Sequence, residues 1–312
     1  MKIGIPAENR PSEKRIILRP QEVAVLASSH EVIVEKGAGI GVGFSDADYE
    51  KAGAKIGSRE EAYGCELVVR IKEPKENELK LIKPGAIVMT MMHLRCSLQL
   101  RANLQDRKII AIPLENLKDP FGKRVVEAVN ESGRIGMEYG FKLWGKDPKT
   151  CRVKIMGYGN MSVGAFQTAA RAGAKVEILN RRHFQEMEKH IPGTDILIDA
   201  VNRPYRAEVK KEPPFVTRDM LKLFKKGSVI VDLVSNPENH APVETMRPTT
   251  LDDLYYVVDG IYHTSCWGWP GLEPDSIVKR YSLQLTPILK EIADKGIDNT
   301  SEMIKAAIVD FR

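Results

Sequence analysis

The sequence predicts an α/β protein made of two doubly wound, parallel-sheet domains of the Rossmann-like kind, with a cleft between them. Three observations predict it. Over roughly the first 115 residues, short β-rich runs alternate with amphipathic stretches, the alternation restarts at Arg152, and the restart opens on a strand running into a glycine turn and a small-residue helix. The length, 312 residues, also exceeds what one hydrophobic core usually serves.

In the first series the strands fall at 2–5, 31–35, 67–72, 87–91 and 109–113, and apolar residues recur at helical spacing over 21–28, 46–52 and 98–106. A longer helix is expected over 127–144, stopped by Gly145 and the Asp147-Pro148 pair, as a bridge between domains. The second series places strands at 153–156, 175–179, 195–200, 228–233 and 256–258. The segment 275–295 is again amphipathic and is expected to return to the first domain. The expected division is therefore 1–128 with 275–312 as the substrate domain, and 129–274 as the nucleotide domain.

Composition excludes several classes. The longest apolar runs, at 86–92 and 229–234, are strand-length, well under the roughly 20 residues of a membrane span. The opening residues enter a strand at once without a leader pattern, so a cytoplasmic protein is expected. Cys65, Cys96, Cys151 and Cys266 lie far apart without a CxxC pair, which fits neither a disulfide framework nor a zinc site; reduced thiols and no metal are expected. The net charge of +5 comes from 47 basic and 42 acidic residues interspersed along the chain, and no basic run interleaves with aromatics. Small molecules rather than nucleic acid or membrane are the expected partners, in a homo-oligomer.

The segment Gly157-Tyr158-Gly159-Asn160-Met161-Ser162 follows a strand and opens a helix. Gly157 permits the tight turn, Gly159 allows backbone to approach a pyrophosphate, and the N–H groups from Asn160 and Met161 onward face the ligand with the helix dipole behind them. Ser162 stands at the third small position. The strand at 175–179 ends on Asn180, where a carboxylate would bind the 2′-hydroxyl of NAD, and Arg181 and Arg182 follow. Two guanidinium groups and no acid favour a 2′-phosphate, so NADP is expected, with NAD second.

Several segments resemble the alanine dehydrogenase and transhydrogenase superfamily: the opening 2–6 with 14–20, the stretch 34–49, 71–74, 92–94, and near the end 247–250, 256–260 and 270–274. The stretches 214–217 and 235–243 resemble lysine-forming saccharopine dehydrogenase. The glycine turn with its arginine pair resembles NADP-dependent carboxyethylornithine synthases. These resemblances imply hydride transfer between nicotinamide and the carbon of an imine or amine, and carry three residues over. Arg15 would hold a substrate carboxylate in a bidentate fork. Lys72, ending a strand beside Glu73-Pro74, would transfer protons once burial and a nearby cation lower its pKa. His93, also ending a strand, suits general acid/base work. Alanine dehydrogenase carries an aspartate after the fourth strand of its nucleotide domain, and the best match here is Asn236, counted among the cofactor-site residues. The leading expectation is therefore an opine-type enzyme that condenses an amino acid with a 2-oxo acid; a simple amino-acid dehydrogenase releasing ammonia comes second, and a non-catalytic nucleotide-binding or transhydrogenase-like module last.

Overall fold

The computed structural model describes residues 1–94, 97–203, 211–236 and 238–312; Cys96, and Pro237 within the 235–243 motif, lie outside them. The other three cysteines, Cys65, Cys151 and Cys266, are free thiols and buried. Two compact units divide the chain, Met1–Glu127 with Glu273–Arg312, and Ala128–Leu272.

The first unit runs β1 (Lys2–Ile5), α1 (Pro20–Ala27), β2 (Glu31–Glu35), α2 (Asp46–Lys51), β3 (Lys55–Gly57), α3 (Arg59–Tyr63), β4 (Leu67–Lys72), α4 (Glu76–Leu79), β5 (Ile87–Met91), α5 (Leu98–Asp106) and β6 (Ile110–Pro113). The second contains α6 (Val129–Trp144), β7 (Arg152–Met156), α7 (Asn160–Arg171), β8 (Lys175–Leu179), α8 (Met187–His190), β9 (Ile196–Asp199), β10 (Val229–Asp232), β11 (Tyr256–Val258) and β12 (Ile261–Thr264). The chain then returns to the first unit with α9 (Pro274–Lys295), α10 (Glu302–Ala307) and β13 (Val309–Asp310).

Local chemistry explains the helix starts. Pro20 opens α1 with its fixed φ. Ser45 with Asp48, and Ser58 with Glu61, form reciprocal capping boxes at α2 and α3. Gly145 ends α6 in the left-handed conformation at φ 70°. Helix α9 is fastened to α1 by Ser282, whose hydroxyl accepts the Arg19 N–H at 2.9 Å and donates to Glu22 at 2.8 Å.

The first sheet has the order β3-β2-β1-β4-β5-β6-β13, parallel except for β13, and its winding reverses between β1 and β4. The second has the order β8-β7-β9-β10-β12-β11, and reverses between β7 and β9. Open sheets of this kind bind ligands at the carboxyl ends of the strands flanking the reversal. One strand departs from expectation. Tyr256–Val258 pairs antiparallel with β12 in a hairpin, and it is β12 that runs parallel beside β10. The turn, Asp259-Gly260, has φ 52° and 83°, the left-handed pair that a two-residue hairpin turn demands.

Helix α6 packs on α7 at backbone contact. A Cβ at Gly133 would lie 1.9 Å from the Met161 carbonyl oxygen, and one at Gly164 would lie 2.0 Å from that of Asn130. The start of α7, which follows the glycine turn, is thus set by glycines on both helices. Gly133→Ala is expected to destabilise the protein by about 1–3 kcal/mol through overpacking. A wild-type urea midpoint in that variant would contradict backbone-to-backbone contact.

Candidate active site

The first unit is organised by a charge buried inside β4. Arg70 is fully buried within the apolar run Leu67–Lys72. Its guanidinium bonds Glu8 at 3.1 Å and both oxygens of Glu78 at 3.2 Å, and also donates to the Tyr63 hydroxyl and, at 3.3 Å, to Asn9. Both carboxylates raise its already high pKa. A buried guanidinium costs several kcal/mol of desolvation unless it is paired this fully. Glu8, in the loop after β1, also accepts the N–H groups of Ile71 at 2.7 Å and Lys72 at 3.3 Å. The network therefore braces the carboxyl end of β4 against the loop of its neighbour. The pairing of β4 with β5 shifts register between Val69 and Lys72, so the strand end is re-aimed where Lys72 sits.

Lys72 lies among charges of both signs. Burial lowers its pKa to about 8, helped by the Arg15 and Arg10 cations and opposed by the Glu13 and Glu73 carboxylates. Arg10 pairs with Glu73. Arg15 is buried and gives its Nε, at 2.6 Å, and its Nη2 to the two oxygens of Glu13. The edge expected to grip a substrate carboxylate is thus occupied by an acid of the chain itself, which sequence reasoning had not singled out.

His93 follows β5, whose Met91 is the register partner of Lys72. Its backbone is left-handed, at φ 48°. Glu115 secures that conformation, accepting the N–H of His93 at 2.5 Å and of Met92 at 3.2 Å. Such a backbone costs on the order of 1–3 kcal/mol and persists where its surroundings fix it, commonly at functional sites. Burial pulls the imidazole below its ordinary pKa, Glu115 opposes, and the Arg124 and Lys72 cations add to the lowering. Arg15, Lys72 and His93 therefore share one electrostatic neighbourhood: Arg15 acts on Lys72, and Lys72 on His93.

In the second unit, Gly157 has φ 95°, and a Cβ there would lie 3.1 Å from the Ala200 carbonyl oxygen. Around Gly159 a Cβ would meet nothing within 4 Å, so the backbone there is open to a ligand. Gly159 precedes α7, whose first residues are Asn160, Met161 and the buried Ser162; the Ser162 hydroxyl accepts the Gly159 N–H at 3.2 Å. These residues fit the pyrophosphate of a dinucleotide: an open glycine, a turn glycine at positive φ and the amino end of a three-turn helix. Past β8, Asn180, Arg181 and Arg182 are exposed, and the Asn180 amide oxygen accepts the Arg182 N–H at 3.0 Å, closing the turn. Asn236 is buried; it accepts the Arg203 N–H at 2.9 Å and donates to the Val201 carbonyl at 2.8 Å, tying the segment after β10 to that after β9.

Residues 4–133 match the model of the alanine dehydrogenase/PNT N-terminal domain, and 182–310 that of the C-terminal domain. Alanine dehydrogenase of Staphylococcus epidermidis is 33% identical over 95% of this chain and 88% of its own length. Alanine dehydrogenase 2 of Staphylococcus aureus is 31% identical over the same shares. Among solved structures, an L-alanine dehydrogenase superposes with a TM-score of 0.87 at 27% identity, covering 100% of this chain and 96% of its own. A transhydrogenase from Sinorhizobium meliloti shares the fold, with a TM-score of 0.82 at 22% identity over 99% and 97%.

Removing the cation at the centre of the brace would strand Glu8 and Glu78 as buried carboxylates. Arg70→Met is expected to cost about 3–5 kcal/mol in equilibrium unfolding, the range for breaking a buried ion pair. A loss below about 1 kcal/mol, typical of exposed pairs, would show that the network carries no structural load.

Proposed function

The chain belongs to the alanine dehydrogenase/PNT family, and on that premise we propose that it is an amino-acid dehydrogenase, oxidising the Cα–N bond of a small α-amino acid to a 2-oxo acid with release of ammonia. It is a nicotinamide-dependent oxidoreductase acting on a C–N bond. The relatives named alanine dehydrogenase, aligned along nearly the whole chain, are what support the ammonia-releasing reading over opine-type condensation, which they do not support.

The observation that carries the chemistry is the placement of Lys72 at the carboxyl end of β4, where burial and the Arg15 and Arg10 cations lower its pKa to about 8. Overall, amino acid, oxidised nicotinamide and water give 2-oxo acid, ammonium, reduced nicotinamide and a proton. A bound nicotinamide would supply the hydride acceptor for the substrate carbon. Neutral Lys72 takes a proton from the substrate amine or from the carbinolamine hydroxyl formed when water adds to the imine. His93, held neutral by burial, is the second proton-transfer group. Glu13 takes the Nε–Nη2 edge of Arg15, so a substrate carboxylate would approach from the Nη1 side. Gly157, Gly159, Asn160, Met161 and Ser162 would hold the pyrophosphate.

For the cofactor, the relatives' activity supports NAD, and the NADP preference suggested by Arg181 and Arg182 gains nothing from them. We take NAD as the working cofactor. NADPH should still bind, because Asn180 presents an amide rather than a carboxylate to a 2′-phosphate. A reductive condensation of an amino acid with a 2-oxo acid stays as the second reading on one observation: Asn236 is an amide spent on the backbone of Val201 and Arg203, where the family pattern has an aspartate.

With L-alanine and NAD, the enzyme is expected to release ammonia and pyruvate in equal amounts. Lys72→Met and His93→Ala should each lower turnover by about 10²–10⁴-fold with little change in nucleotide affinity. Turnover that requires an amine together with a 2-oxo acid, without ammonia, would instead establish the second reading. Asn180→Asp should weaken NADPH at least about tenfold relative to NADH, since a carboxylate repels the phosphate. Equal loss for both nucleotides by titration calorimetry would remove position 180 from the ribose site.

A further inference from the structure

Two carboxyl groups lie side by side at the carboxyl ends of β9 and β10. Asp199 and Asp232 are register partners on adjacent parallel strands, so their side chains leave the sheet on one face, and both are buried, at 0% and 1% exposure. Their surroundings are unequal. Asp232 accepts the N–H groups of Val234 at 2.8 Å and Ser235 at 2.9 Å, and the Ser265 hydroxyl at 2.8 Å. Asp199 accepts one N–H through Oδ1, that of Val201 at 3.0 Å, and its Oδ2 is buried with no hydrogen-bond partner. Two buried carboxylates at adjacent positions cannot both ionise cheaply, and the one with three donors is the better anion. The proton therefore belongs to Asp199.

Its position links it to the glycine turn. The segment that Asp199 anchors, Ala200 and Val201, packs directly on Gly157, at the reversal point between β7 and β9. We propose that Asp199 is a positioning residue of the nucleotide site that works as an un-ionised acid: it fixes the Ala200–Val201 segment under the Gly157 turn and keeps that floor free of a second negative charge, so that a dinucleotide's pyrophosphate can seat there. The inference rests on the cofactor reading given above. Burial, followed by the Asp232 charge, pushes Asp199 well above the usual carboxylate range, against the Val201 N–H and Arg203. Asp232 is also raised by burial, against its three donors. Among the described residues, the charged groups acting on Asp199 are Asp232 from β10 and Arg203, which is itself 3.5 Å from Glu212 and stacks on Phe215 at 4.0 Å.

The sign of the linkage is fixed. An acid whose pKa is raised on folding stabilises the fold at acid pH relative to alkaline pH, and that stability is lost as pH rises from the unfolded value near about 4 through the folded one. Ionisation would also set an anion beneath the pyrophosphate. The test measures two quantities between about pH 6 and about pH 10: the melting temperature without nucleotide, and the dissociation constant of NADH by fluorescence. In the wild type both stability and affinity should fall toward alkaline pH, affinity by about tenfold per unit once the acid ionises. In Asp199→Asn, which keeps the shape without the titration, the fall in affinity should vanish and the fall in melting temperature should lessen, leaving the loss that the buried thiols of Cys65 and Cys151 cause at the alkaline end. Asp232→Asn, by removing the like charge, should move them to lower pH. The same falls in Asp199→Asn as in the wild type, or flat wild-type profiles, would overturn the proposal. If the melting profiles behave as stated but NADH binds at no pH, the acid pair stands and it is the cofactor reading that fails.

Discussion

The first unit of this protein depends on one buried guanidinium. Arg70 sits where a parallel strand ordinarily carries an aliphatic side chain, and a charge in that position must be met from neighbouring elements. Glu8 arrives from the loop after β1, and Glu78 and Tyr63 from the helices on either side of β4. One carboxylate, Glu8, then does two things at once: it neutralises Arg70 and it accepts the N–H groups of Ile71 and Lys72. Lys72 is thereby held by the same contacts that make the buried charge tolerable. Its lowered pKa follows from where it is held, near Arg15 and Arg10 and away from water.

A parallel economy operates at His93 and in the nucleotide unit. Glu115 fixes a left-handed histidine through two backbone N–H groups, and Asn236 and Asp199 fix the segment after β9 through others. In each case a buried polar side chain bonds the backbone at the carboxyl end of a strand, which is the edge where an open α/β sheet meets its ligand. Such edges have left the strand ladder and need other partners for their N–H groups. Acids and amides supply them.

Much of the fold was legible in the sequence because periodicity and glycine chemistry are local. The strands at 2–5, 31–35, 67–72, 87–91 and 175–179 and the helix ending at Gly145 stand where the apolar patterns placed them. The strands β3 and β13, of three and two residues, are too short for a period to register. The β11–β12 hairpin was readable, since Asp259-Gly260 is a strong turn signal, but a single apolar run at 256–258 looked like one more parallel strand. At the site, Lys72 ends β4 as expected, whereas His93 stands two residues past the end of β5. Their supports, Glu8, Arg70, Glu13 and Glu115, were not found because they act through contacts distant in sequence; Arg70 inside an apolar run was the one visible clue, a charge that had to be paired. Arg15 and Asn236 were assigned to ligands, and the structure engages both with the chain itself.

The central claim is that Lys72, held by the Arg70 brace among the Arg15–Glu13 and Arg10–Glu73 pairs, is the proton-transfer group of amino-acid oxidation. The pH dependence of kcat/KM for L-alanine oxidation with saturating NAD tests it most directly, since that parameter reports ionisations of the enzyme form that meets the amino acid. The account predicts a rise with pH through an apparent pKa of about 8, the value the site imposes on Lys72. A profile without an inflection there, or one kept unchanged in Lys72→Met, would contradict it.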